Sequence, residues 1–228
     1  MNVIKTLSFT AAIVAGVVST QAMAYEAADI IVRAGATMVA PNDSSGEVTL
    51  NGVSLGADSG VTVGDDTQLG LTVTYMLDKN WGIELLAATP FSHTIKSEGT
   101  ALAGLGIDEV ATADQLPPTL SAVYHFDVKG ALQPYLGLGL NYTTFFNEDA
   151  SNELDAALGN ASVSLKDSWG LAAQVGLDFH LSDNWLLNGS VRYIDIETEG
   201  TITTSAGKVK VDVDIDPYVY TIAVGYKF

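Results

Sequence analysis

The chain has 228 residues, 10 basic against 27 acidic, a formal net charge of −17 at pH 7 and no cysteine. That balance argues against a nucleic-acid partner, because phosphate binding needs clustered Lys and Arg. The lack of cysteine excludes disulfides and thiolate metal sites.

The first 24 residues carry one lysine, an apolar run from Leu7 to Val18 and the small-residue stretch Ala22-Met23-Ala24. This is expected to be a cleaved secretory signal peptide, residues 1–24, with residues 25–228 as a single domain. No later segment approaches about 18 consecutive apolar residues, so ordinary spanning helices are not expected. Period-2 alternation recurs instead.

The first alternating run, DIIVRAGATMV, places Ile30, Val32, Ala34, Ala36 and Met38 on one face. TQLGLTVTYM follows with Leu69, Leu71, Val73 and Tyr75, and NWGIELLAATPF with Trp81, Ile83, Leu85 and Ala87. TLSAVYHF and QPYLGLGLNYTTF carry Leu120, Tyr124, Leu136, Leu138 and Leu140. SWGLAAQVGLDFHL and NWLLNGSVRYID present Trp169, Leu171, Val175, Trp185, Leu187 and Val191. The eighth run, PYVYTIAVGYKF, shows Tyr218, Tyr220, Ile222, Val224, Tyr226 and Phe228 on its apolar face.

Connections alternate in length. Residues 77–80, 127–132 and 182–184 are short, whereas 40–66, 91–116, 147–167 and 195–216 are long and hold most of the 27 carboxylates. Large aromatics gather at two levels, with Trp81, Trp185 and Phe228 beside the short turns and Trp169 near a long loop. They are expected to mark the two membrane interfaces. A soluble sandwich has no reason to sort its loops and aromatics in this way. The pattern predicts an all-β fold: an eight-stranded antiparallel up-and-down transmembrane β-barrel with long extracellular loops and short periplasmic turns.

The opposite parity should face the lumen, which eight strands leave just wide enough for side chains to fill. Unpaired buried charge is costly, so Arg33, Glu84, Asp178 and Arg192 are expected to form a neutralising network, with Gln174 nearby. Which of them touch depends on barrel stagger, which alternation does not reveal. Leu86 and Arg192 fall at similar depth and are expected to narrow the lumen. In the second long loop, Leu102, Leu105 and Ile107 either pack over the rim or line a way in for an apolar ligand. SNELDAALGN in the third reads as a short helix capped by Ser151 and ended by Gly159. Upstream of the last strand, Val209, Val211, Val213 and Ile215 occupy odd positions while the lipid face below uses even ones. Either a bulge near Asp216-Pro217 resets the phase or these valines point inward above the rim.

Catalysis is not expected, since His93, His125 and His180 cannot form one site and no nucleophile accompanies them. DVDIDP mimics the start of a calcium loop, but Pro217 stands where glycine is needed. No metal site or cofactor is expected. Weak cation or lipopolysaccharide bridging by the acidic loops stays open.

The runs TQLGLTVTYM, GIELLAATPF, LPPTL, PYLGLGLNYTTFF, LKDSWGLAAQVGLDF and the terminal GYKF, collinear over the chain, resemble the OmpW family of bacterial outer-membrane proteins. The resemblance implies passive passage of small hydrophobic molecules through a narrow apolar channel, with exit sideways into the membrane. Arg192 departs from the apolar closure expected of that family and makes the constriction more polar. The alternative is a plugged structural or receptor barrel with acidic surface loops. Expected partners are outer-membrane lipids and lipopolysaccharide, small hydrophobic ligands, and barrel-assembly machinery through the terminal Phe228, with the protein a monomer.

Overall fold

The computed structural model describes residues 25–56, 59–205 and 207–228, so the expected signal peptide lies outside the described residues. Eight strands form the barrel: β1 (Ile30–Ala40), β2 (Asp66–Met76), β3 (Trp81–Ala88), β4 (Thr119–His125), β5 (Leu132–Ala150), β6 (Ser168–His180), β7 (Trp185–Ile194) and β8 (Tyr218–Lys227). Each pairs antiparallel with its chain neighbour along β1–β2–β3–β4–β5–β6–β7–β8. The circle closes where β1 pairs with β8, from Ile31 opposite Lys227 to Ala40 opposite Tyr218. Closure matters because an open strand edge cannot be satisfied in hydrocarbon.

Side-chain parity follows the pleat. On β3, Gly82, Glu84 and Leu86 are buried while Trp81, Ile83 and Leu85 are exposed. On β5, Gln133, Tyr135 and Asn141 face inward, and Leu136, Leu138 and Leu140 face out. An outer surface of leucines and valines is stable only against lipid. Aromatic clusters bound it. Trp81 packs on Tyr124 at 5.0 Å and Trp185 on Tyr226 at 5.0 Å near the short turns, with Phe228 4.7 Å from Tyr226. At the other end Tyr142 meets Trp169 at 4.7 Å.

The long loops are not irregular. They continue the wall upward as two facing sheets. One joins residues 59–63, 91–99 and 109–116 to the upper end of β5. The other is built on the hairpin 197–204/207–214, flanked by 162–165 and 49–50. Strand β5 alone has 19 residues. At about 3.4 Å per residue and roughly 40° tilt it rises about 50 Å, well beyond an apolar band about 25 Å tall. Val209, Val211, Val213 and Ile215 are buried in the same cluster as inward-facing Val219, so the phase continues and these valines point inward above the rim. The apolar stretch after Gly99 becomes a single helical turn, α1 (Thr100–Ala103), then the strand Glu109–Leu116. Helix α2 (Asn152–Leu158) starts at Ser151, whose hydroxyl accepts from the Leu154 amide at 3.0 Å, and ends at Gly159.

The closure seam is tight. A Cβ at Gly35 would lie 2.0 Å from the Ile222 carbonyl oxygen and 2.5 Å from the Ala223 Cα, both backbone. Gly35→Ala is expected to cost about 1–3 kcal/mol, as overpacking does. Gly189→Ala, where a Cβ meets nothing within 4 Å, should be nearly silent. Urea midpoints of the two variants in vesicles check this pair.

Candidate functional site

The lumen is divided into a floor, a polar plug and an apolar upper chamber. At the floor, Tyr25 turns into the barrel and packs with Ile31, Met76 and Leu186. Its ring lies 4.8 Å from His125 and 5.3 Å from His180, and its hydroxyl donates to Asp178 Oδ2 at 2.7 Å.

Above the floor is the plug. Arg33 grips Asp178 with two N–H groups, Nε to Oδ1 at 3.0 Å and Nη2 to Oδ2 at 2.6 Å. Its Nη1 reaches Glu84 Oε2 at 3.2 Å. Arg192 Nη2 meets the other Glu84 oxygen at 2.9 Å. The rest of the carboxylate capacity is filled by Thr74 Oγ1 at 3.0 Å and Gln174 Nε2 at 2.9 Å on Glu84, and by Asn188 Nδ2 at 2.8 Å on Asp178. Gln174 Oε1 in turn accepts from Arg192. Two positive and two negative charges thus neutralise each other in a bidentate, hydrogen-bonded set, the form in which buried charge is tolerated.

The structure brings Leu86 and Arg192 to one residual cavity of about 10 Å³, also bordered by Arg33, Thr72 and Glu84. A space that size is about enough for one water. At this level the described side chains leave room for little more than that.

The upper chamber is of another kind. Between the two facing sheets lies an apolar cavity of about 50 Å³. Its walls are Val61, Val63, Ile95, Val110 and Phe145 on one side and Val163, Ile202, Val211, Val213 and Ile215 on the other. Three polar side chains interrupt it, Thr198, His93 and Gln115. The Thr198 hydroxyl donates to the Lys166 carbonyl oxygen at 2.7 Å, while His93 and Gln115 are 5% and 1% exposed. His93 Nδ1 lies 2.5 Å from the Gly64 carbonyl oxygen, which only accepts, so Nδ1 carries the proton. Burial holds this imidazole below the usual histidine range and therefore neutral at pH 7. That leaves a lone pair on Nε2, which has no partner among the described residues, and Gln115 Oε1 has none there either.

The residues Leu102, Leu105 and Ile107 lie in and just after the helical turn α1. Leu102 and Ile107 are buried in the packed upper cluster, Leu105 is 56% exposed, and none borders the cavity. Trp81, Trp169, Trp185 and Phe228 all lie on the outer surface. Gln115 and Tyr25 were not singled out in the sequence, His93 was read only as a histidine sharing no site with His125 and His180, and of the upper valines only the odd-numbered series at 209–215 pointed inward.

Below the chamber the wall has a flaw. The ladder between β3 and β4 runs from Trp81 opposite Tyr124 to Leu86 opposite Thr119, and restarts only at Phe91 opposite Gln115. The intervening segments contain Pro90, Pro117 and Pro118. Proline has no N–H to donate, so this stretch cannot be laced as the rest of the wall is.

A model of the OmpW family matches residues 26–228. Outer membrane protein W of Vibrio cholerae is 45% identical over 95% of this chain and 96% of its own, and that of Escherichia coli K12 is 41% identical over 98% and 100%. The crystal structure of OprG from Pseudomonas aeruginosa superposes with a TM-score of 0.84 at 45% identity, covering 91% of this chain and 99% of that one.

Proposed function

The chain belongs to the OmpW family of bacterial outer-membrane barrels, and from that premise we propose that it admits small hydrophobic molecules at its extracellular end and releases them sideways into the membrane. The carrying observation is the pairing of an apolar chamber above with a charged, hydrogen-bonded plug below. An apolar solute gains by leaving water for the valine-lined chamber. It would lose by stripping water-like partners from Arg33, Glu84, Asp178 and Arg192, so the downward route is closed to it. The proline-bearing break between β3 and β4 lies beside Gln115, at the chamber's lower edge, and we take it as the way out toward lipid. Leaving there breaks fewer backbone hydrogen bonds than leaving through any laced part of the wall. In this reading Leu86 and Arg192 close the lumen and turn the solute outward.

Uptake of a labelled apolar compound should slow in cells lacking the protein and recover with the wild-type gene. Ala113 borders the chamber, and Ala113→Trp should fill it and hold uptake at the deletion level while the barrel still folds. Planar-bilayer conductance should be negligible for both proteins. Unchanged uptake across several apolar compounds would leave a plugged structural barrel, for which the same sealed lumen speaks.

A further inference from the structure

The chamber is not uniformly apolar: Thr198 spends its hydroxyl on the Lys166 carbonyl, and the other two polar side chains are diagnostic. His93 and Gln115 project inward from adjacent strands, where Phe91 opposes Gln115 and Ala113 opposes His93. They are therefore diagonal neighbours, roughly 7–8 Å apart at the backbone, a gap that one small polar group can bridge. Each is nearly fully buried, yet among the described residues His93 Nε2 and Gln115 Oε1 have no hydrogen-bond partner. Buried polar atoms without partners are costly and rare in native structures. Two of them lining one apolar cavity point to a ligand group that completes them.

The chemistry narrows that group. His93 keeps its proton on Nδ1, toward Gly64, so Nε2 offers only a lone pair and calls for a donor. The Gln115 amide presents its oxygen, or by a half-turn its NH2, so it can meet a donor or an acceptor. A carboxylate or an ammonium would bring a bare charge into an apolar space without a counter-charge. Ethers, esters and ketones lack the proton that His93 needs, and alkanes leave both groups unsatisfied. A hydroxyl has one donor and two acceptor lone pairs, which suits the pair.

We propose that the upper chamber selects small apolar molecules bearing one hydroxyl group, such as aliphatic alcohols and phenols. The hydroxyl donates to His93 Nε2 and is held by the Gln115 amide, while the hydrocarbon lies along Val61, Val211 and Val213. This rests on the chamber being the admission site for apolar solutes, and it adds the polar handle by which that site discriminates among them. Because the pair sits at the chamber edge beside the proline break, a bound hydroxyl is also held next to the sideways exit.

The test uses the full barrel in bilayer nanodiscs, titrated with 1-hexanol, methyl pentyl ether or heptane at matched concentrations in the lipid. Cavity valine methyl shifts and the His93 Nε2 nitrogen shift are followed. Hexanol should perturb the methyls at about three- to tenfold lower concentration than the ether or heptane, the size of one hydrogen bond, and should alone move His93 Nε2. In His93→Leu and in Gln115→Leu the advantage should shrink, and in the double variant it should fall to about one. Gln115→Leu leaves the bond between His93 and Gly64 intact and serves if the histidine variant misfolds. Equal potency of the three compounds in the wild type, or a preference that survives both substitutions, overturns the selection while leaving the chamber an apolar site. If none of the compounds perturbs the methyls, the admission site itself is wrong and the selection falls with it.

Discussion

Replacing Glu84 with alanine should lower the unfolding free energy by about 3–5 kcal/mol, the usual cost of breaking a buried ion pair from one side. Glu84 serves both arginines, meeting Arg33 at 3.2 Å and Arg192 at 2.9 Å. Without it Arg33 keeps Asp178, but Arg192 keeps only the neutral oxygen of Gln174. The lumen would then hold one uncompensated positive charge far from water. The size of the loss should depend on charge balance more than on contact. Glu84→Gln combined with Arg192→Met removes both members of the pair, and most of the stability should return. A double-mutant cycle of urea unfolding in lipid vesicles, read by fluorescence of Trp81, Trp169 and Trp185, measures the coupling. A double variant no more stable than Glu84→Gln alone would sink the charge-balance account.

Leu138→Arg should cost about 2–4 kcal/mol when the protein unfolds from a bilayer. Leu138 faces outward on β5 and is 72% exposed. It lies six residues above Leu132, where β5 begins, hence roughly 15 Å up the wall and near the middle of the hydrocarbon. Val53, in the extracellular extension, is just as exposed at 69%. Val53→Arg, placed in water, should stay within about 0.5 kcal/mol of the wild type, as surface substitutions usually do. Side-chain exposure is the same at the two sites and only the solvent differs. Equal effects would mean that the leucine surface does not face lipid.

Parity alone was enough to orient the barrel residues, because facing depends only on whether a position is odd or even within a strand. That made Arg33, Glu84, Gln174, Asp178 and Arg192 legible as inward groups, and their mixed charge made a network the natural expectation. That Glu84 would lie between the two arginines was not legible. Cross-strand depth depends on the stagger set at closure, where Arg33 falls opposite Thr72 on one side and Gly225 on the other. The upper chamber was hidden for a different reason. Its strands carry polar outer faces and sit in water, so only half of each registers as apolar, as with Lys208, Lys210 and Asp212 between the buried valines. Tyr25 and His93 could not be placed from spacing, since their partners Asp178 and Gly64 are distant in sequence or on another loop.

The seam between β1 and β8 bears on the order of events in assembly. The two strands stand at opposite ends of the barrel sequence, and each remains a bare edge until the other arrives. A bare edge in hydrocarbon costs several kcal/mol for every unpaired amide or carbonyl, so the strands cannot insert one at a time. Curling up, zipping and crossing must therefore coincide, in one late step whose rate is limited by the search of two distant segments for each other. Until then the chain has to wait in water with eight half-greasy strands unpaired, and its −17 charge, by self-repulsion, helps keep it from clumping.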